Sequence, residues 1–319
     1  MKAVVMSTVV PLGDFVPGLR RDFPQVDFVV CTEPSQLPGL MAEAEVYVGP
    51  IGPDVGRNAP RLRWVQSIST GIDSMLAIPE LAHGDVLLTG ARGTHSACLA
   101  ESVFGMIFAF TRGILDSAAR QQHRQWAQRE LRGGLRELSG SMMGLVGYGA
   151  MARAIAARAR AFDMRVTGVD LAPGGVAEGV TVRGREGLDD LLAQSDYVVV
   201  TVPAHADTRG MISARALGLM KPEAMLIGIS RGGVIDEKAL AEALRTGKLR
   251  AAALDVFDTE PLPADSDLWD VENLLITPHI AGGTQFESRN VAAIFRENLE
   301  RFLKGSLPLR NQVDKARGY

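Results

Sequence analysis

The stretch that decides the fold is 141-SMMGLVGYGAMARAIAARARAFDMRVTGVD-170. An apolar run turns on glycine, continues as an Ala/Arg-rich helical pattern, and returns to a second apolar run ending in Asp170. Strand, glycine turn, helix and strand in that order is the sequence form of a parallel β-α-β unit. Gly147 permits the tight turn, Gly149 lets an anionic group approach the backbone, and the small Ala152 lets helix and strand pack closely. The free N–H groups and the dipole at the helix start then favour a pyrophosphate. Asp170 stands eighteen residues beyond Ala152, where a carboxylate accepts hydrogen bonds from ribose hydroxyls. It would repel a 2′-phosphate, and the following Leu-Ala-Pro-Gly-Gly brings no cation. The pattern therefore favours NAD over NADP; the alternative for Asp170 is a plain turn residue before Pro173.

Outward from this unit the same alternation recurs on both sides. Before it, "KAVVMSTVV", "VDFVVCT", "VYVGPIG", "LRWVQSISTGID" and "DVLLTGARG" read as strands separated by short helical stretches. A long helical pattern then runs from about Ser96 to about Gln128, with a break near Gly113. After it, "DYVVVTVP", "AMLIGIS", "AAALDVF" and "LLITPHI" are further short apolar runs. The last segment is an amphipathic helix with Val291, Ile294, Phe295, Phe302 and Leu303 on one face, stopped at Gly305. Two consecutive α/β series, each a parallel sheet with helices on both faces, are the expected architecture.

The chain has 319 residues, enough for two domains, and 46 % hydrophobic with 22 % charged residues fits an ordinary globular core. Net charge is −3 with mixed signs, so nothing argues for nucleic acid or an anionic membrane surface. Two cysteines, Cys31 and Cys98, offer neither a disulfide framework nor a C-x-x-C metal pair, and no metal is expected. The N-terminal apolar stretch is too short to span a membrane and reads as the first strand of a cytoplasmic protein.

In an open α/β sheet, ligands gather at the carboxyl ends of the strands. Three groups stand at such ends in the second series: Arg231 after "MLIGIS", Glu260 after "AAALDVF", and His279 after "LLITP". An arginine grips a carboxylate with two parallel hydrogen bonds, and a histidine exchanges a proton near neutral pH. A glutamate on the far ring nitrogen fixes the tautomer and stabilises positive charge on the ring. Beside a nicotinamide this set suits hydride transfer to the carbonyl carbon of a 2-oxo acid, with His279 protonating the oxygen; the reverse oxidises a 2-hydroxy acid. Singly, each has a duller alternative as a loop cation, a turn acid or a structural histidine.

With these residues in view, the chain resembles the D-isomer-specific 2-hydroxyacid dehydrogenases, a family that includes D-glycerate, D-lactate and D-3-phosphoglycerate dehydrogenases. The resemblance rests on "GLVGYGAMA" with Asp170, "VTVPAHADTRGMI", "ISRGGVIDEKAL", "AALDVFDTEPLP" and "TPHIAGGT", with "LRWVQSISTGID" and "GTHSACLAES" before them. It implies two Rossmann-like or flavodoxin-like domains with the active-site cleft between them. The substrate domain would be discontinuous, 1–94 plus 285–319, and the NAD domain would be 95–284. Arg231 would orient the substrate, His279 would act as acid and base, and Glu260 would be its partner. Tyr148, Ala150 and Met151 would line the pyrophosphate turn. Val202, Pro203, Thr208, Ile229, Ser230 and Gly282 would border the cofactor, and Asp255 would face the nicotinamide. Backbone groups of Ser69, Thr70 and Gly71 would hold the substrate carboxylate. A homodimer through the NAD domains is implied, and Trp126 resembles a tryptophan that can cross it; an ordinary interface anchor is the alternative.

Glyoxylate or hydroxypyruvate reduction is the favoured activity. A D-3-phosphoglycerate dehydrogenase would want cations near the substrate loop, for which Arg63 and Arg92 are the candidates. A non-catalytic NAD-sensing protein of the same fold is the remaining alternative, opposed by the intact Arg–Glu–His set. His95, close to where the substrate loop meets the linking helix, reads as part of a helix start between Thr94 and Ser96, with a substrate contact as the alternative; His205 reads as packing, with a place near the adenine as the alternative, His123 as part of a solvated charged face, and Cys98 as a small buried residue.

Overall fold

The early apolar runs become five parallel strands in the computed structural model, which describes residues 1–171, 175–177 and 179–315. These are β1 (Lys2–Met6), β2 (Asp27–Cys31), β3 (Val46–Gly49), β4 (Trp64–Ser67) and β5 (Leu87–Thr89). They lie in the order β2-β1-β3-β4-β5, the doubly wound order of flavodoxin-like sheets. Alternate residues of each strand face opposite sides. Ala3, Val5, Val46, Val48 and Trp64 enter a core shared with Val291, Phe295 and Leu299 of the helix Glu287–Leu303. Val4, Met6, Tyr47, Val65 and Leu88 enter a second core with Met41, Met75 and Leu81. These strands and the last helix form one compact unit, Met1–His95 with Thr284–Tyr319.

The last helix carries one surprise. Val291, Ile294 and Phe295 are buried as their spacing predicts, but Phe302 and Leu303 are only half-buried, while the polar Asn298 is wholly buried. Its amide donates to Gln66 Oε1 (3.2 Å) and the Arg310 carbonyl (2.9 Å), and Asn298 Oδ1 accepts from the Arg310 N–H (2.7 Å). A buried amide is tolerated when its groups are paired in this way, and here the pairing fixes the helix to β4.

The second unit, Ser96–Gly283, holds the remaining strands: β6 (Met142–Val146), β7 (Arg165–Val169), β8 (Gly175–Ala177), β9 (Val180–Arg183), β10 (Tyr197–Val200), β11 (Met225–Gly228), β12 (Ala251–Leu254) and β13 (Leu274–Ile276). Their order is β13-β12-β11-β10-β6-β7-β9-β8, parallel except for the β8–β9 pair. Leaving aside the edge hairpin strand β8, this is the Rossmann arrangement, and the strand order reverses between β6 and β10. One face packs on the helices Ser96–Thr111 and Ala150–Ala161, the other on Leu188–Gln194, Ala214–Leu219 and Glu237–Arg245. Helices thus cover both faces, which is why β6 and β10 to β12 read as continuous apolar runs.

Two features depart from the sequence expectations. Strands β8 and β9 were not anticipated: β9 alternates buried Val180 and Val182 with exposed Thr181 and Arg183, too short a pattern to stand out. The long helical pattern forms three helices, Ser96–Thr111, Ile114–Gln122 and Gln128–Arg132; the break expected near Gly113 is present, and a second, at 123–127, was not expected. Gly113, with φ +63°, takes the left-handed conformation and turns the chain by 64° between the first two. The helices Ile114–Gln122 and Gln128–Arg132 bury no residue, and Trp126 between them is 92 % exposed. Among the described residues, no single helix is long and apolar enough to cross a membrane.

Candidate active site

The glycine turn sits at the exit of β6, where the strand order reverses. Gly147 has φ +94°, and a Cβ there would lie 2.8 Å from Thr201 Oγ1 and 3.1 Å from the Val202 nitrogen. Any side chain would be strained and would strike the exit of β10. Gly149 is the opposite case: it caps the helix Ala150–Ala161, and a Cβ there would meet nothing within 4 Å. Gly149 and Ala150 are exposed, Met151 is half-buried, and Ala152 is fully buried under the helix. A helix N-terminus with open space before it fits a phosphate group.

Tyr148 belongs to this turn only through its backbone. Its ring is buried against Gly168 of β7, with the Arg153 guanidinium 5.2 Å above it. Its N–H donates to Asp170 Oδ2 at 2.7 Å, so Asp170 braces the turn as well as ending β7. Residues 172–174, part of the cation-free segment after Asp170, lie outside the described residues. Beyond β10, Val202 is half-buried and Pro203 exposed. Thr208 is buried and closes the loop: its hydroxyl donates to the Pro203 carbonyl (2.6 Å) and accepts from the His205 N–H (3.0 Å). His205 Nδ1 accepts from the Asp207 N–H at 3.2 Å, a local loop contact.

The exits of β11, β12 and β13 bring Arg231, Glu260 and His279 to one cavity of about 240 Å³, with Gly232, Gly233, Phe257, Asp258 and Arg209. Ile229 and Ser230, just before Arg231, are buried. The glycine pair permits the approach. A Cβ on Gly232 would lie 1.9 Å from the Phe257 carbonyl oxygen, and Gly233 has φ +79°. Glu260 uses both oxygens: Oε1 accepts from the Phe257 N–H (2.9 Å), and Oε2 lies 2.7 Å from His279 Nδ1. The carboxylate therefore fixes the ring's direction and leaves Nε2 as its outward nitrogen. Arg231 donates from Nη1 to its neighbour's carbonyl, that of Ser230, at 2.8 Å. Arg209 escaped the sequence reading because a distant pairing brings it in: the Gly210 N–H donates to the Gly233 carbonyl (2.7 Å), and Ile212 bridges Ile235.

His279 has φ +53°, unusual for a residue with a Cβ. Its conformation is held by Asp255, which is 1 % exposed. Asp255 Oδ1 accepts from the Thr277 hydroxyl (2.6 Å) and the Ile280 N–H (2.9 Å), and Oδ2 from the Ala281 N–H (3.0 Å). One buried carboxylate thus grips the chain on both sides of His279. The paired N–H and hydroxyl groups offset the burial of this carboxylate. The next residues are tied as well, with Ser102 Oγ donating to the Ala281 carbonyl (3.0 Å) and Cys98 Sγ to that of Gly282 (3.2 Å). Cys98 is half-buried and acts through this contact.

Next to Glu260 lies Glu237, whose Oε1 accepts from the Asp258 N–H at 2.6 Å. Burial raises its carboxyl above the usual range; the Asp258 N–H pulls it part of the way back, and the charges of Asp258, Glu260 and Asp236 push it further up.

In the first unit, residues 67–71 leave the carboxyl end of β4. The Ser69 N–H donates to Ser67 Oγ (3.0 Å), the Gly71 N–H to Ser69 Oγ (3.2 Å), and the Ala91 N–H to the Ser69 carbonyl (2.9 Å). Thr70 Oγ1 lies 3.0 Å from His95 Nδ1. Arg63 stands at the other end of β4, engaged with Glu45 (3.4 Å) and the Phe302 ring (4.9 Å), so it cannot serve as a cation for this loop. Arg92 is exposed beyond β5, and its carbonyl accepts from the Asn311 amide (2.8 Å).

Known proteins share this architecture and sequence. The sequence profile of the D-isomer specific 2-hydroxyacid dehydrogenase NAD binding domain matches residues 104–281. The chain is 39 % identical to (S)-sulfolactate dehydrogenase of Chromohalobacter salexigens over 245 residues, covering 76 % of this chain and 78 % of that one. It is 30 % identical to D-3-phosphoglycerate dehydrogenase of Methanocaldococcus jannaschii, covering 93 % of this chain but only 57 % of that protein. Among solved structures, the NADPH-dependent glyoxylate/hydroxypyruvate reductase of Sinorhizobium meliloti, in complex with NADP and sulfate, superposes with a TM-score of 0.85 at 28 % identity, over 100 % of this chain and 99 % of that one. The chain belongs to the D-isomer-specific 2-hydroxyacid dehydrogenase family. It is an oxidoreductase whose second unit is of the NAD(P)-binding Rossmann type.

Proposed function

We propose that this protein is an NAD-dependent dehydrogenase of D-2-hydroxy acids that reduces small 2-oxo acids of the glyoxylate and hydroxypyruvate kind. The observation that carries the reading is the 2.7 Å pair of His279 and Glu260, lining the same cavity as Arg231. Nδ1 is engaged by Glu260, so Nε2 is the nitrogen that gives a proton to the carbonyl oxygen in reduction and takes it back in oxidation. Arg231 pairs with the substrate carboxylate, and backbone N–H groups of residues 69–71 share that load. The dinucleotide would lie along Gly149, Ala150 and Met151, with Asp170 at its ribose and Val202, Pro203, Ile229, Ser230 and Gly282 beside it. When bound, its nicotinamide supplies or accepts the hydride.

Asp170 supports NAD, because a carboxylate at that position repels a 2′-phosphate. The chain also reads as a homodimer through its second unit. The helices that bury nothing, with the 92 % exposed Trp126 and the exposed Ile114, are the surface on which a second copy would pack. NADH and NADPH oxidation, measured over glyoxylate, hydroxypyruvate, pyruvate, phenylpyruvate, 3-sulfopyruvate and 3-phosphohydroxypyruvate, tests the assignment. Glyoxylate or hydroxypyruvate with NADH is expected to give the highest kcat/KM. Asp170→Ala is expected to impair NADH far more than NADPH; equal losses would remove Asp170 from the ribose.

A further inference from the structure

His95 is buried, 8 % exposed, and Thr94, Thr70 and Glu287 lie against its ring. Nδ1 lies 2.8 Å from Thr94 Oγ1 and 3.0 Å from Thr70 Oγ1, and Nε2 lies 3.6 Å from Glu287 Oε1. The Thr94 hydroxyl also sits 2.7 Å from the Ala91 carbonyl, to which it donates its single proton. Its oxygen then only accepts from the ring, so Nδ1 carries a proton, and that one N–H is shared between Thr94 Oγ1 and Thr70 Oγ1. The frame around the ring is itself fixed. The Asn290 amide donates to the Thr94 carbonyl at 3.1 Å, and Glu287 and Asn290 both lie in the first turns of the helix Glu287–Leu303. The buried imidazole thus links that helix and the Ala91–Thr94 turn to Thr70, the middle residue of the 69–71 loop.

Within that loop, residues 69 and 71 are braced by short hydroxyl contacts from Ser67 and Ser69. For the Thr70 side chain, the described tie is His95. We propose that His95 is a positioning residue: through Nδ1 it holds Thr70, and so fixes the backbone N–H groups of residues 69–71 in the arrangement that receives the substrate carboxylate. The proposal rests on the reading that this loop binds that carboxylate. Its consequence is specific. Loss of the Nδ1 contact weakens binding of the 2-oxo acid and leaves proton transfer at His279 untouched.

The two ring nitrogens can be separated by substitution. An asparagine amide reaches the position of Nδ1, and a glutamine amide that of Nε2. His95→Gln and Thr70→Val are each expected to raise KM for the 2-oxo acid about tenfold, with kcat within about twofold and KM for NADH unchanged. His95→Asn is expected to hold KM within about threefold of wild type. Hydrogen exchange of the peptide spanning residues 67–72 is the second readout, faster in the Gln and Val variants and near wild type in the Asn variant. If His95→Asn behaves no better than His95→Gln, or exchange is unchanged in all variants, His95 does not hold the loop and the proposal falls. If exchange quickens while KM stays constant, His95 does hold the loop, and the carboxylate reading of residues 69–71 is what fails.

Discussion

Two short loops leave the carboxyl ends of parallel strands, one in each unit, and they are held by opposite means. Residues 277–281 after β13 are gripped by a buried charge, the Asp255 carboxylate, with Glu260 on the His279 ring. Residues 67–71 after β4 are held by neutral hydroxyls of Ser67, Ser69 and Thr70. Hydrogen bonds to a charged acceptor are roughly twice as strong as neutral ones. The charged hold belongs to the loop with left-handed backbone at His279, where a strained conformation of order 1–3 kcal/mol must be offset. The neutral hold belongs to a loop of ordinary backbone, where no such strain has to be offset.

The comparison can be broken from the charged side first. His279→Ala is expected to lower kcat by about a hundredfold or more, the usual worth of a general acid, while NADH binding measured by fluorescence stays near wild type. Survival of activity would sink the assignment of His279.

Asp255→Asn comes next. The substituted amide keeps the shape but sets an NH₂ against an N–H or hydroxyl donor, so about 3 kcal/mol of stability should disappear and kcat should fall about tenfold. Thermal melting and steady-state kinetics check this. A variant that instead lost NADH affinity with its stability intact would return Asp255 to the nicotinamide.

From the neutral side, Ser67→Ala removes one acceptor of one N–H and is expected to lower stability by only about 1 kcal/mol. A loss as large as that of Asp255→Asn would erase the distinction between the loops.

The smallest effect is in pH. The raised carboxyl of Glu237 contributes stability that is complete below its unfolded value of 4.5 and is lost as pH rises through its higher folded value. Melting of wild type and Glu237→Gln across about pH 4 to 7 should show the wild type's relative stability falling with rising pH. A flat difference would deny that Glu237 is held by its burial and its acidic neighbours.

Much of the second unit was legible because its signals are local. Gly147, Gly149, Ala152 and Asp170 lie within one β-α-β unit, and the apolar runs of β6, β10, β11 and β12 are buried on both faces. The short strands β8 and β9 and the second break of the 96–128 helical pattern, at 123–127, were less so. The strands are too brief to show a period, and the stretch 123–127 carries no glycine or proline to mark a break.

By itself the sequence determined the class of sheet, the turn that admits a phosphate, and the presence of Arg231, Glu260 and His279 at strand ends. Only the tertiary structure decided what holds them. Asp255 lies 22 residues from Thr277, Glu260 lies 19 from His279, and Thr70 lies 25 from His95. No pattern in the chain reports such pairs, because strand register and loop geometry create them. Asp255, which the sequence offers only as a residue beside a cofactor, is in the fold also the clamp behind the histidine.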